Sequence, residues 1–181
     1  ELHQVGCFVI PNPWDIGTAV YLKHLGFKAL ATTSAGYAFT RGLPDSVLAI
    51  KREEMLAHVG EIAAATSLPV NADFQNGYAD TPEDVAQSVA LCIKTGVAGL
   101  SIEDATGDDD APLYETTRAI ERIKAARQAI DAEIGDLAAP SAIAAPRPAA
   151  PPPAPPPGLT SPGLWECPFV SPGAFLAGRV T

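Results

Sequence analysis

The chain has 181 residues, with 12 Lys+Arg against 21 Asp+Glu and a formal net charge of -9. That length fits one domain with a buried core, and the acidic balance argues against nucleic acid or an anionic membrane surface as partner, since both require clustered basic residues. No apolar run approaches the roughly 18–20 residues that span a bilayer. Three cysteines (Cys7, Cys92 and Cys167) form no CxxC pair, so neither a disulfide framework nor a zinc site is expected, and a reducing, cytoplasmic setting is.

In chain order, Val5–Pro11 reads as a short buried strand. Asp15 is placed to cap a helix running to Gly26, with Ile16, Ala19, Val20 and Leu25 turned inward. Lys28–Thr33 reads as a second strand, followed by a loop, TTSAG, that turns towards Gly42-Leu43-Pro44-Asp45. Lys51–Thr66 carries apolar residues at helical spacing, and Leu68–Ala72 reads as a third strand. Thr81-Pro82-Glu83-Asp84 is a helix start: a hydroxyl cap, proline at the first helical position, and acids in the first turn. That helix ends at Gly96, Val97–Ile102 reads as a fourth strand, and Tyr114–Ala132 as a last helix with Ile120, Ile123 and Ile130. Strands separated by helices pair in parallel through right-handed crossovers. The body is therefore α/β, about four βα units forming an open sheet or an arc of a barrel.

Composition changes near residue 136. Of the 18 prolines, six precede that point and twelve follow it, and the only charged residues beyond it are Arg147, Glu166 and Arg179. The two expected regions are 1–136, the body, and 137–181, a disordered Pro/Ala-rich tail that favours extended polyproline II. The abruptness is that expected of a shifted reading frame or a truncated gene model.

In a parallel sheet every strand ends at the same rim, where α/β proteins bind their ligands. Strand two runs into Thr33 and Ser34; strand three gives Asn71, Ala72 and Asp73, then Gln75, Asn76 and Gly77; strand four gives Glu103 and Asp104. Asp73 and Glu103 each follow an apolar strand, where an unpaired charge is costly. With Asp45 they converge on one rim, and carboxylates held together call for a counter-charge. A hard divalent cation such as Mg²⁺, held by a few carboxylates plus water and substrate oxygens, supplies it. Ser34, within TTSAG, offers its hydroxyl and nearby N–H groups to an anion. Asp15, Thr81 and Glu83 read as capping residues, Asp108–Asp110 as solvated loop charges, Cys7 and Cys92 as small core residues, and the histidines as uninvolved in chemistry.

The blocks NPWDIGTA, GFKALATTSAGYAF, GLPD, PVNADFQNGY and GVAGLSIED, in that order and spacing, resemble the isocitrate lyase/phosphoenolpyruvate mutase superfamily. The resemblance covers residues 2–134 and implies a (β/α)8 TIM-type barrel of which this chain carries an incomplete part. It implies a Mg²⁺-dependent, oligomeric, lyase-type enzyme that makes or breaks a C–C or P–C bond next to a 2-oxo acid, through an enolate, on a small dicarboxylate. Carried over, Thr33, Ser34 and Ala35 would hold the substrate carboxylate, Asp45 would stand by metal and substrate, and Asn71, Asp73 and Glu103 would form the metal site. Asn71 stands where many members have an acid, and Asn is a neutral, weaker oxygen ligand. The KxCGH motif of isocitrate and methylisocitrate lyases is absent, as are counterparts of barrel strands five to eight. The alternative reading is a catalytically inactive member that serves as an interaction module.

Overall fold

The computed structural model describes residues 2–4 and 6–138. The expected tail, 137–181, lies outside them apart from its first two residues.

Three strands, β1 (Leu30–Ala31), β2 (Val70–Asp73) and β3 (Gly99–Ser101), form one sheet in the order β1-β2-β3. Both pairings are parallel, with Ala31 opposite Asn71 and Asp73 opposite Ser101. Among the described residues, five helices, α1 (Ile16–His24), α2 (Ser34–Thr40), α3 (Arg52–Ala65), α4 (Pro82–Ile93) and α5 (Thr116–Ala138), accompany it.

Local chemistry accounts for most helix ends. Asp15 and Thr18 form a reciprocal capping box: the Thr18 amide donates to Asp15 Oδ1 at 2.7 Å, and the Asp15 amide donates to Thr18 Oγ1 at 3.2 Å. Thr81 caps α4 ahead of Pro82, with the Asp84 amide donating to its hydroxyl at 3.1 Å. Gly26 and Gly96, both at φ 90°, occupy the left-handed position that follows α1 and α4.

Packing then selects the inner faces. Met55, Val59 and Ile62 of α3 are fully buried. Ala19 and Leu22 of α1 pack with Leu30, Ile62 and Val70. Val85 and Val89 of α4 meet Ala126, Ala129 and Ile130 of α5. Among the described residues, no helix is long and apolar enough to cross a membrane.

The structure corrects several expectations. The Val5–Pro11 run is not a strand: Val5 lies outside the described residues, and Val9 is 66% exposed. A backbone bond links the run to β1, from the Ala31 N–H to the Pro11 carbonyl at 3.0 Å, which leaves three strands rather than four among the described residues. Ile16, Val20 and Leu25 face outward, because only the Ala19/Leu22 side of α1 meets α3 and the sheet. Ile120 and Ile123 are half-exposed, since α5 packs on α4 through its Ala126–Ile130 side. Cys7 is exposed, whereas Cys92 is buried as expected. The TTSAG segment is not a loop: Thr33 accepts from the Gly36 amide at 3.0 Å and starts α2 there.

Candidate functional site

Alternation along β2 separates two faces. Val70 and Ala72 are buried in the hydrophobic core clusters, so Asn71 and Asp73 lie on the opposite face. Their partners on β3 are Gly99 and Ser101, and continuing the same alternation leads to Glu103. Because the strands are parallel, Asp73 and Glu103 emerge at the same end of the sheet.

Asp73 is held in place by the end of β1. Its Oδ2 accepts two hydrogen bonds from Ser34, one from the amide and one from the hydroxyl, each at 2.7 Å. Its own amide donates to Thr32 Oγ1 at 2.9 Å, and Thr32 is fully buried. Both Ser34 donors expected to face a substrate anion are thus engaged by a carboxylate of the chain itself. Thr33 spends its hydroxyl on capping α2, and the Ala35 amide, alone in that first turn, has no hydrogen-bond partner among the described residues. Asn71 donates weakly to the Ala72 carbonyl at 3.4 Å, and its Oδ1 lies so near Gly99 that a Cβ there would come within 3.1 Å.

Glu103 is tied to the β2–α4 loop by its amide, which donates to the Gln75 carbonyl at 2.7 Å. Burial raises the pKa of Glu103 above the usual carboxylate value, and the negative charges of Asp73, Asp45 and Asp104 raise it further. The loop that carries Asp45 meets this rim although it lies far along the chain. Two contacts bring its loop in. Gln75 Nε2 donates to the Ser46 carbonyl at 3.4 Å, and Gly107 presses so closely on Val47 that a Cβ would collide with it.

Two rim-loop residues are bound into the structure in ways their sequence does not signal. Gln75 (φ 41°) and Tyr78 (φ 54°) occupy the left-handed region without being glycine. Gln75 is 3% exposed, and both its Oε1 and the Tyr78 hydroxyl are buried without a hydrogen-bond partner. Burial, together with the charges of Asp73 and Glu103, pushes the Tyr78 phenol up. Arg122 of α5, 1% exposed, secures the same loop by donating to the carbonyls of Asn76, Ala79 and Asp80.

Among the described residues, no three His, Cys, Asp or Glu side chains gather at metal-holding distances. No ion pair among them involves Asp45, Asp73, Glu103 or Asp104. The chemistry of the donor set nonetheless fits a hard cation: uncompensated carboxylates, one of them with its pKa raised by burial and then by its charged neighbours, beside an orphaned amide oxygen. A separate cleft between α1, α2 and α3, lined by Trp14, Tyr37, Arg41 and His58 among others, includes none of these carboxylates.

A family model described as phosphoenolpyruvate phosphomutase matches residues 1–138. The chain belongs to the phosphoenolpyruvate mutase/isocitrate lyase superfamily. It is similar to the crystal structure of a lyase/mutase candidate from Burkholderia cenocepacia J2315, at 50% identity and TM-score 0.69, over 72% of this chain and 46% of that one. It is similar to oxaloacetate acetylhydrolase, solved with its product oxalate, at 29% identity and TM-score 0.66, over 74% of this chain and 47% of that one. An uncharacterized Mycobacterium tuberculosis protein is 34% identical over 131 residues, 71% of this chain and 47% of the relative. The chain thus spans just under half the length of these superfamily relatives. Its three parallel strands are a partial match to the superfamily's structures.

Proposed function

We propose that the body is the first part of a (β/α)8 barrel and that it carries magnesium-dependent, lyase-type chemistry. The reaction makes or breaks a C–C or P–C bond next to a 2-oxo acid, through an enolate, on a small dicarboxylate. The observation that carries this reading is the emergence of Asp73 and Glu103 from adjacent parallel strands at one end of the sheet, where Gln75 draws in the loop that carries Asp45. Similarity to an enzyme solved with oxalate agrees with a small dicarboxylate ligand.

Asp73 and Glu103 hold the cation, with the Asn71 oxygen as a neutral addition. When bound, the cation supplies positive charge beside the oxygen on which enolate charge develops. Ser34 fixes the orientation of Asp73 through Oδ2, leaving Oδ1 for the rim. Thr33 and Ser34 set the first turn of α2, whose Ala35 amide is available to a substrate carboxylate. Asp45 stands by the reacting atoms. A homo-oligomer is part of the same reading.

Thermal melting with and without millimolar Mg²⁺ plus oxalate tests the site, because a ligand that binds only the folded state raises the midpoint. A rise is expected. A flat result overturns the cation site and favours a catalytically inactive interaction module. Release of pyruvate across a panel of 2-oxo and alkylmalate-type acids then reads the reaction itself.

A further inference from the structure

Gln75 has a role that the carboxylates do not explain. Its side chain is almost completely buried at 3% exposure, yet Oε1 has no donor. Leaving a buried acceptor unpaired is costly. The backbone there is also held at φ 41°, a conformation that non-glycine residues rarely adopt. Its remaining groups fix it between two of the acids: the carbonyl accepts from the Glu103 amide at 2.7 Å, and Nε2 donates to the carbonyl of Ser46, next to Asp45, at 3.4 Å. Asp73 precedes it by two residues. A neutral oxygen acceptor is thus built into an acidic rim with its lone pairs unused.

We propose that Gln75 is an outer-sphere residue of the cation site, its Oε1 accepting a hydrogen bond from a water bound to the divalent ion. The inference rests on the cation reading above. Mg²⁺ keeps several of its waters when bound by proteins, and such waters present only O–H donors to their surroundings. Another carboxylate would accept the same bond but add charge to a rim already in mutual repulsion; the amide accepts it without that cost. The orphaned acceptor is therefore satisfied when the hydrated ion is present.

The test is titration of the full chain with Mn²⁺, a hard oxygen-seeking probe, followed by water-proton relaxation and paralleled by melting without metal. Gln75→Met keeps the volume and removes the acceptor. Its affinity for Mn²⁺ is expected to fall about tenfold or more, as for other outer-sphere partners. Its metal-free midpoint is expected to stay level or rise, since an unpaired buried oxygen has gone. Unchanged Mn²⁺ affinity with a lowered metal-free midpoint would show that Gln75 merely braces the Ser46 loop, and would overturn the proposal. Gln75→Glu guards against a Met variant that fails to fold: tighter Mn²⁺ binding with a lower metal-free midpoint is expected, and unchanged affinity overturns the proposal. Wild-type chain that binds no Mn²⁺ overturns the cation reading itself. Wild-type binding that Glu103→Gln abolishes but both Gln75 variants leave intact overturns the role of Gln75 alone.

Discussion

Ser34 and Asp73, 39 residues apart in the chain, meet through a single oxygen: the amide and the hydroxyl of Ser34 both donate to Asp73 Oδ2 at 2.7 Å. The pairing joins the segment after β1 to the end of β2 and orients a rim carboxylate before any ligand arrives. Hydrogen bonds to a charged group contribute about 1.5–3 kcal/mol each. Ser34→Ala removes one of the two, and a loss in that range is expected in urea unfolding. Asp73→Asn weakens both, so the double variant is expected to lose less than the two single losses added together. Additive losses would show that the two side chains act independently.

Arg122 ties α5 to the loop that carries the rim. Its guanidinium donates to Ala79 O at 2.7 Å, to Asp80 O at 2.6 Å and to Asn76 O, and it packs 4.0 Å from the centre of the Tyr114 ring. Arg122→Met leaves three carbonyls without a charged donor, and a destabilisation of about 3 kcal/mol or more is expected. Arg122→Lys restores part of it, because an ammonium cannot reproduce the planar fork. Hydrogen exchange at the Gly77 and Tyr78 amides is expected to quicken in the Met variant while α3 stays protected. Uniform quickening across the chain would make Arg122 a global rather than a local tie.

Glu103 sets a pH dependence whose sign follows from its raised pKa. Burial comes first, then the charges of Asp73, Asp45 and Asp104. In the fold the protonated form is favoured, so the ionised side chain destabilises the metal-free protein above the raised pKa. That penalty disappears as pH falls below the ordinary glutamate value of about 4.3. Glu103→Gln is therefore expected to raise the metal-free urea midpoint at about pH 7 and to differ little from wild type at about pH 4. The same variant is expected to lose the rise in melting midpoint produced by Mg²⁺ plus oxalate. A Glu103→Gln variant less stable than wild type at neutral pH would show that Glu103 makes a favourable contact in its charged form.

The sequence alone determined the features that depend on near neighbours. Thr81-Pro82 and the Asp15–Thr18 box start helices because each cap reaches only three residues ahead, and Gly26 and Gly96 end them through backbone freedom. The alternation of strand and helix required parallel pairing, which brings Asp73 and Glu103 to one rim. Tertiary structure decided what local pattern leaves open. The apolar residues of α1 could have turned either way, and only the packing of Ala19 and Leu22 against Leu30, Ile62 and Val70 chose the inner side. Val5–Pro11 had the composition of a strand, but a strand forms only where a neighbour supplies a full ladder, and the described part of the run makes one backbone bond to β1. The engagement of Ser34 by Asp73, and the burial of Gln75 with an oxygen left unpaired, arise from segments dozens of residues apart, where residue spacing carries no information about who meets whom.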